Sequence, residues 1–251
     1  MNRVLGNSKE SMAQSVVVRS LYRACLRGHR ALESRALPLQ TAVGAREWGH
    51  FRRVDAQVLD SERDAVFPWA SRDVRSEVEC DALLEQCRRA FRRPTADVDG
   101  QIDEAFSALR SFHELLSRRS GSSYAVTCGV RVTALASYLG VAASGAHVFA
   151  YRIRIANDNA HPVQLRSRHW VIEDDQGKRV VVPKGSPGVV GQTPRLAQGQ
   201  CFEYASGTEL HAPTGTVSGS FQFATDDGDL FDVQVSPFNL VADVRELDDA
   251  Y

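Results

Sequence analysis

A chain of 251 residues, 43% hydrophobic and 24% charged with a formal net charge of -1, has a globular composition and the length of two ordinary domains. No apolar run approaches the ~20 residues of a membrane-spanning helix, so a soluble protein without a membrane span is expected. Five cysteines, Cys25, Cys80, Cys87, Cys128 and Cys201, show neither a C-x-x-C pair nor the dense spacing of a secreted disulfide scaffold; a reducing compartment fits, and no metal centre is expected.

Charge is unevenly spread. Residues 1–120 carry 20 Lys+Arg against 17 Asp+Glu, and residues 121–251 carry 10 against 14. Residues 1–35 alone hold seven basic and two acidic groups, so a negatively charged partner is drawn to that end. Only Lys9, Lys178 and Lys184 are lysine; the rest are arginines, whose forks suit carboxylate and phosphate.

In chain order, residues 1–15 read as an extension lacking the apolar core of a secretory signal, and Glu10 stands as the one acidic residue among Arg3, Lys9 and several serines, a hint of a mitochondrial address. An amphipathic helix follows. Arg19, Arg23, Arg27 and Arg30 fall within an arc of roughly 80°, with Val17, Leu21, Ala24, Gly28 and Leu32 on the opposite side and Tyr22 and Leu26 flanking. The helix is expected to end near Pro38. Residues 39–73, holding Gly44, Gly49, Pro68, Trp48 and Trp69 without a sustained period, read as an insertion that docks in part through its tryptophans.

Helical spacing returns from about Val74 through Val78, Ala82, Leu83, Cys87 and Phe91 until Pro94 ends it. Asp97 or Asp99 can cap a third helix in which Ile102, Ala105, Phe106, Leu109, Phe112, His113 and Leu116 keep a 3-4 spacing to Arg118 and Arg119. Residues 120–123 form a polar hinge and the expected domain boundary. Beyond it Val126, Cys128, Val130 and Val132 alternate with polar or small residues, as do Phe149, Tyr151, Ile153 and Ile155, each strand with one dry face. Turn signals at residues 157–162, 174–178, 197–200, 212–215 and 226–229 space the strands as in an antiparallel sandwich over 124–241, with 242–251 as a tail.

The residues offer no recognisable catalyst. The seven histidines lack a metal-ligand spacing, the Asp226–Asp229 stretch lacks the rest of a cation loop, and neither a G-x-S-x-G elbow nor a P-loop is present, so no enzymatic activity is expected.

Leu21-Tyr22-Arg23 early in a basic helix, with the later run from Arg88 to Phe106 in which arginines flank Phe91 and an aspartate-bearing turn leads into a third helix, resembles the LYR-motif (complex I LYR-like) family. The likeness covers about residues 16–117 of an expected domain at 16–119, interrupted by the 39–73 insertion, which departs from the family's short connection. It implies a three-helix mitochondrial adaptor on the matrix side that binds acylated acyl carrier protein. The implied contacts are Arg19, Tyr22, Arg23, Arg27 and Arg30, with Leu21 and Phe91 lining an acyl-chain pocket. The implied cofactor is not the chain's own: it is the 4'-phosphopantetheine acyl group carried by the partner.

The stretches from Tyr151 to Lys178, Ser186 to Leu210 and Gly215 to Leu240 resemble the bacterial ApaG domain over about residues 125–240. This implies a fibronectin type III-like β-sandwich serving interaction. The family's G-x-G-x-x-G loop is kept here only in Gly188 and Gly191, with Ser186 at the first glycine position. Pro194 follows in place of a helix start, so a tight inter-strand turn is expected over a dinucleotide site, because a helix N-terminus supplies the anion site of the latter. Arg166 and Arg168 make this end a partner or ligand surface, whereas Trp170, alternating with Ile172, belongs to the core.

The expectation is therefore a multidomain α plus β protein, a three-helix LYR-like domain followed by an ApaG-like sandwich. It would act as a non-catalytic adaptor between acyl carrier protein and a large mitochondrial assembly, a respiratory complex favoured. The alternatives are a mitochondrial ribosome subunit or assembly factor, with RNA a partner only in that case, and a phosphate-ligand-sensing module built on the glycine-containing loop.

Overall fold

The structure, a computed structural model, describes residues 2–32, 37–38, 45–54, 77–78, 80–92 and 97–242. Gly44, Pro68, Trp69, Val74, Pro94, most of the 39–73 insertion and the tail beyond Ala242 lie outside the described residues. The chain divides into two compact units, one formed by Met1–Leu39 with Leu59–Ser117 and the other by Gln40–Val58 with Arg118–Tyr251.

The first unit is helical. Helix α1 spans Asn2–Leu32, starting well before residue 16, since no proline and only Gly6 and Gly28 oppose helix over that stretch. Its dry face is rotated by roughly 60° from the expected one. Leu21, Cys25 and His29 are buried, while Val17 is exposed. Short strands β1 (Leu37–Pro38) and β3 (Glu77–Val78) pair antiparallel, so Val78, read as helical from its spacing, is a strand residue. Helix α2 spans Cys80–Arg92 and buries Leu83 and Cys87.

Helix α3 spans Val98–Arg118. Asp97 is its N-cap, its Oδ1 accepting the Gly100 N–H at 2.9 Å. Ala105, Ala108, Phe112 and Leu115 are buried along α3, whereas Phe106 and His113, expected on the dry face, are exposed. The three helices touch. Tyr22 meets Phe91 with ring centroids 5.1 Å apart, Gly28 faces the Phe112 side chain, and Gln101 donates to the Ala90 carbonyl at 3.3 Å.

The second unit is a pair of antiparallel sheets packed face to face. Its strands are β2 (Phe51–Val54), β4 (Ser122–Thr127), β5 (Val130–Val141), β6 (His147–Asn157), β7 (Val163–Asp174), β8 (Arg179–Pro187), β9 (Arg195–Leu196), β10 (Cys201–Leu210), β11 (Thr214–Thr225) and β12 (Leu230–Val241). One sheet has the order β2-β10-β6-β5-β4 and the other β12-β11-β7-β8, with β9 also on β7. Alternate residues of both sheets close one core. Phe149, Ile153, Ile155 and Phe202 meet Leu165, Trp170, Phe221 and Phe238 there, and the Trp170 ring stands edge-on to Phe221 at 5.5 Å.

Two segments differ from their sequence reading. Val126 to Val132 is not one strand: β4 turns at Cys128–Gly129 into β5, so Val126 is exposed while Val130 and Val132 are buried, and Ser122 and Ser123 of the expected hinge already pair with Leu135 and Ala134. Residues 45–54, expected within an insertion of the helical domain, belong to the sheet unit. After a helical turn at Ala45–Glu47, the Gly49 N–H bonds the Ala205 carbonyl and β2 pairs with β10. Trp48 lies where any side chain at position 207 would stand, so Gly207 is required for this close approach.

Candidate functional site

Three places in the fold carry arranged polar chemistry. The first is the outer side of α1, where Arg19, Arg23, Arg27 and Arg30 are all exposed on one face. The helical turn alone aligns them. Tyr22 is half-buried at the border of that face, tilted at 48° to Phe91 of α2. Leu21 points inward and is buried. Tyr22 and Phe91 are thus brought together, with Leu21 on the interior side of α1. On α2, Glu85 pairs with Arg88 and Arg89 at 3.9 and 3.4 Å, pairs of small energetic weight at that exposure.

The second is the loop between β8 and β9. Val189 and Gln192 exchange both backbone hydrogen bonds, at 2.8 and 2.7 Å, around Val190 and Gly191, which have φ of 42° and 76°. Two consecutive positive φ values close a two-residue hairpin turn, and glycine suits the second position. Gly188, also at positive φ, donates its N–H to the Arg166 carbonyl at 3.0 Å, and a β-carbon there would strike the Gln192 carbonyl. The Arg168 guanidinium donates through Nη1 to the carbonyls of Pro187 and Gly188 at 2.8 and 2.6 Å, while Arg166 reaches Gln164 at 3.2 Å. Arg166, Arg168, Gly188 and Gly191 therefore do meet, as a braced turn. The N–H groups of Gly188, Val189 and Gln192 are spent inside the turn, and the chain continues into Pro194 and β9, not into a helix. This is not the strand-loop-helix cradle that holds a pyrophosphate.

The third has no counterpart in the sequence reading. On the sheet face opposite the core, Glu203 of β10 stands directly across from Arg52 of β2 and Arg154 of β6, with Arg152 on the diagonal. Its carboxylate accepts from Arg52 Nε at 2.8 Å, from Arg152 Nη1 at 2.7 Å and from Arg154 Nη2 at 2.7 Å, while Arg152 also pairs with Glu47. Glu203 is 1% exposed and Arg154 2%. Burial alone would push the Glu203 carboxyl up, but Arg154, Arg152 and Arg52 together outweigh burial and hold it below the usual carboxylate range. Where the alternation predicts one dry face for β6, Arg152 and Arg154 on its other face are therefore buried too. The signal was present in the alternation of Arg152 and Arg154, but only strand pairing shows which acid they meet.

The pattern that defines the ApaG domain matches residues 141–225. Protein ApaG of Rhodospirillum centenum is 43% identical over 118 residues, covering 46% of this chain and 89% of that protein. The chain belongs to the ApaG family. Protein ApaG of Anaeromyxobacter dehalogenans is 41% identical over 120 residues, 47% of this chain and 94% of its own length. The crystal structure of the putative ApaA protein from Bordetella pertussis is 36% identical, covers 48% of this chain and 96% of its own, and superposes with a TM-score of 0.43.

The braced loop lies within the matched ApaG residues, as do Arg152, Arg154 and Glu203; Arg52 and Glu47 lie outside them. The ApaG domain of this chain thus takes two of its ion-pair partners from a segment about a hundred residues or more upstream, as the 105-residue separation of Glu47 from Arg152 shows. Among the described residues, no three His, Cys, Asp or Glu side chains converge to hold a metal, and no helix is long and apolar enough to cross a membrane.

Proposed function

We propose that this protein is a non-catalytic mitochondrial adaptor on the matrix side. In this reading the helical unit is a LYR-like three-helix bundle that binds an acylated acyl carrier protein, and the ApaG domain, as a fibronectin type III-like sandwich, docks onto a large assembly, a respiratory complex favoured. The observation that carries the reading is the exposure of Arg19, Arg23, Arg27 and Arg30 along a single face, bordered by the Tyr22–Phe91 contact. Arginine forks aligned in this way match a carboxylate-rich helix or the phosphate of a phosphopantetheine arm, through charge-assisted hydrogen bonds.

The chain brings no cofactor of its own in this account. The acyl group arrives on the partner, with Leu21 and Phe91 as the nearest apolar contacts for its tail. A phosphate-sensing role for the Gly188–Gly191 loop is not favoured, because the amides of Gly188, Val189 and Gln192 are engaged and a strand, not a helix, follows.

Affinity capture of the full-length protein from mitochondria tests the proposal. The intact protein is expected to retain acyl carrier protein, and the R23E/R27E double variant to lose it with its far-ultraviolet circular dichroism unchanged; capture of no carrier by the intact protein overturns the reading. Capture of RNA in place of carrier, lost steeply with added salt, would transfer the reading to a ribosomal host.

A further inference from the structure

Cys25 of α1 and Cys87 of α2 face each other inside the helical unit. They are 0% and 2% exposed, both thiols are free, and the two lie near enough to interact. The Tyr22–Phe91 ring contact one turn away fixes the register: 22 with 91 and 25 with 87 is the pattern of two antiparallel helices. The Ala105 carbonyl of α3 lies 3.9 Å from the Cys25 sulfur and closes the third side.

We propose that Cys25 and Cys87 form an oxidation site, a reversible disulfide made by a hydroperoxide that clasps α1 to α2. Side chains buried on one seam between two touching helices need little movement to bond, and their separation in sequence gives the bond a long loop to close.

Either sulfur can open the reaction, and the Arg88 charge next to Cys87 in the chain favours the thiolate there. The Cys87 thiolate attacks one peroxide oxygen, the O–O bond breaks, and hydroxide leaves as water with the thiol's proton, giving a sulfenic acid. Cys25 then attacks that sulfur. The S–S bond forms, the S–O bond breaks and the second oxygen leaves as water with the Cys25 proton. Two electrons pass from the thiol pair to one peroxide. Hydrogen peroxide is small enough to reach the pair when the helices open locally.

Resting on the adaptor reading, the clasp has a consequence: it fixes the α1–α2 seam beside Tyr22 and Phe91, so that an acyl tail no longer parts the helices.

The test uses the full-length protein, with C80S in parallel because Cys80 shares a tryptic peptide with Cys87. Graded hydrogen peroxide, quenching with N-ethylmaleimide and mass spectrometry are expected to show the Ala24–Arg27 peptide joined to the Ser76–Arg88 peptide. The link forms at doses no higher than those that oxidise exposed Cys128, is reversed by dithiothreitol, and is absent from C25S and C87S. Cys128 oxidised with Cys25 and Cys87 still alkylated overturns the proposal. Carrier capture separates the two claims. A clasped form that still retains the carrier overturns the gating, whereas a cross-link in a protein that captures no carrier in either state supports the clasp and removes the adaptor reading.

Discussion

Glu203 receives three arginine forks in a nearly dry setting, so the charges are coupled tightly and removing one partner strands the others. Glu203→Gln keeps the shape and deletes the charge; it is expected to cost the sheet unit about 3–5 kcal/mol, the scale for breaking a buried ionic group, measured by denaturant unfolding. The pH dependence follows from the same contact. Because the folded carboxyl titrates below its ordinary value of 4.5, its stabilisation is complete above that value and is lost as pH falls through the lowered one. Acid unfolding curves of the wild type are therefore expected to be steeper below pH 4.5 than those of Glu203→Gln.

Helix α3 owes its start to one side chain. Asp97→Ala removes the acceptor for the Gly100 N–H and is expected to lower stability by about 1 kcal/mol with little change in helix content, read by circular dichroism during thermal unfolding. That cap was legible in the sequence, as were the α1 arginine face and the inward turn of Trp170, because each depends on spacing within one element. The exact dry side of α1 was not. It is set by Cys25 and His29 packing in the interior, and neither side chain declares itself as a core residue from its type alone. The β4–β5 turn was hidden for a different reason. A two-residue turn leaves the every-second-residue pattern of Val126, Cys128 and Val130 unbroken, so the reversal of direction makes no mark on the alternation. Strand β2, four residues with two arginines, acquires its meaning only from Glu203, 151 positions later.

At the level of the molecule, the sheet unit of this chain is larger than the stretch that the ApaG pattern matches. A fragment of residues 118–251 contains the residues 141–225 that the ApaG pattern matches and is expected to fold, yet it lacks Glu47, Trp48, Phe51 and Arg52. Calorimetry is expected to show it less stable than the same unit in the full chain by about 3 kcal/mol or more, given the loss of a partner to a buried carboxylate and of the Phe51–Phe202 stacking. Because β2 precedes α2 and α3 in the chain but completes a sheet whose neighbouring strand is β10, the polypeptide visits the second unit, leaves, and returns. During synthesis at 5–20 residues per second, β2 must wait roughly 8–30 s after leaving the ribosome before β10 exists to receive it. A nascent chain cannot seal the outer rim of its sandwich until β10 has left the ribosome, and a gene fusion that cut between helices and sheets at a single codon would take this rim away.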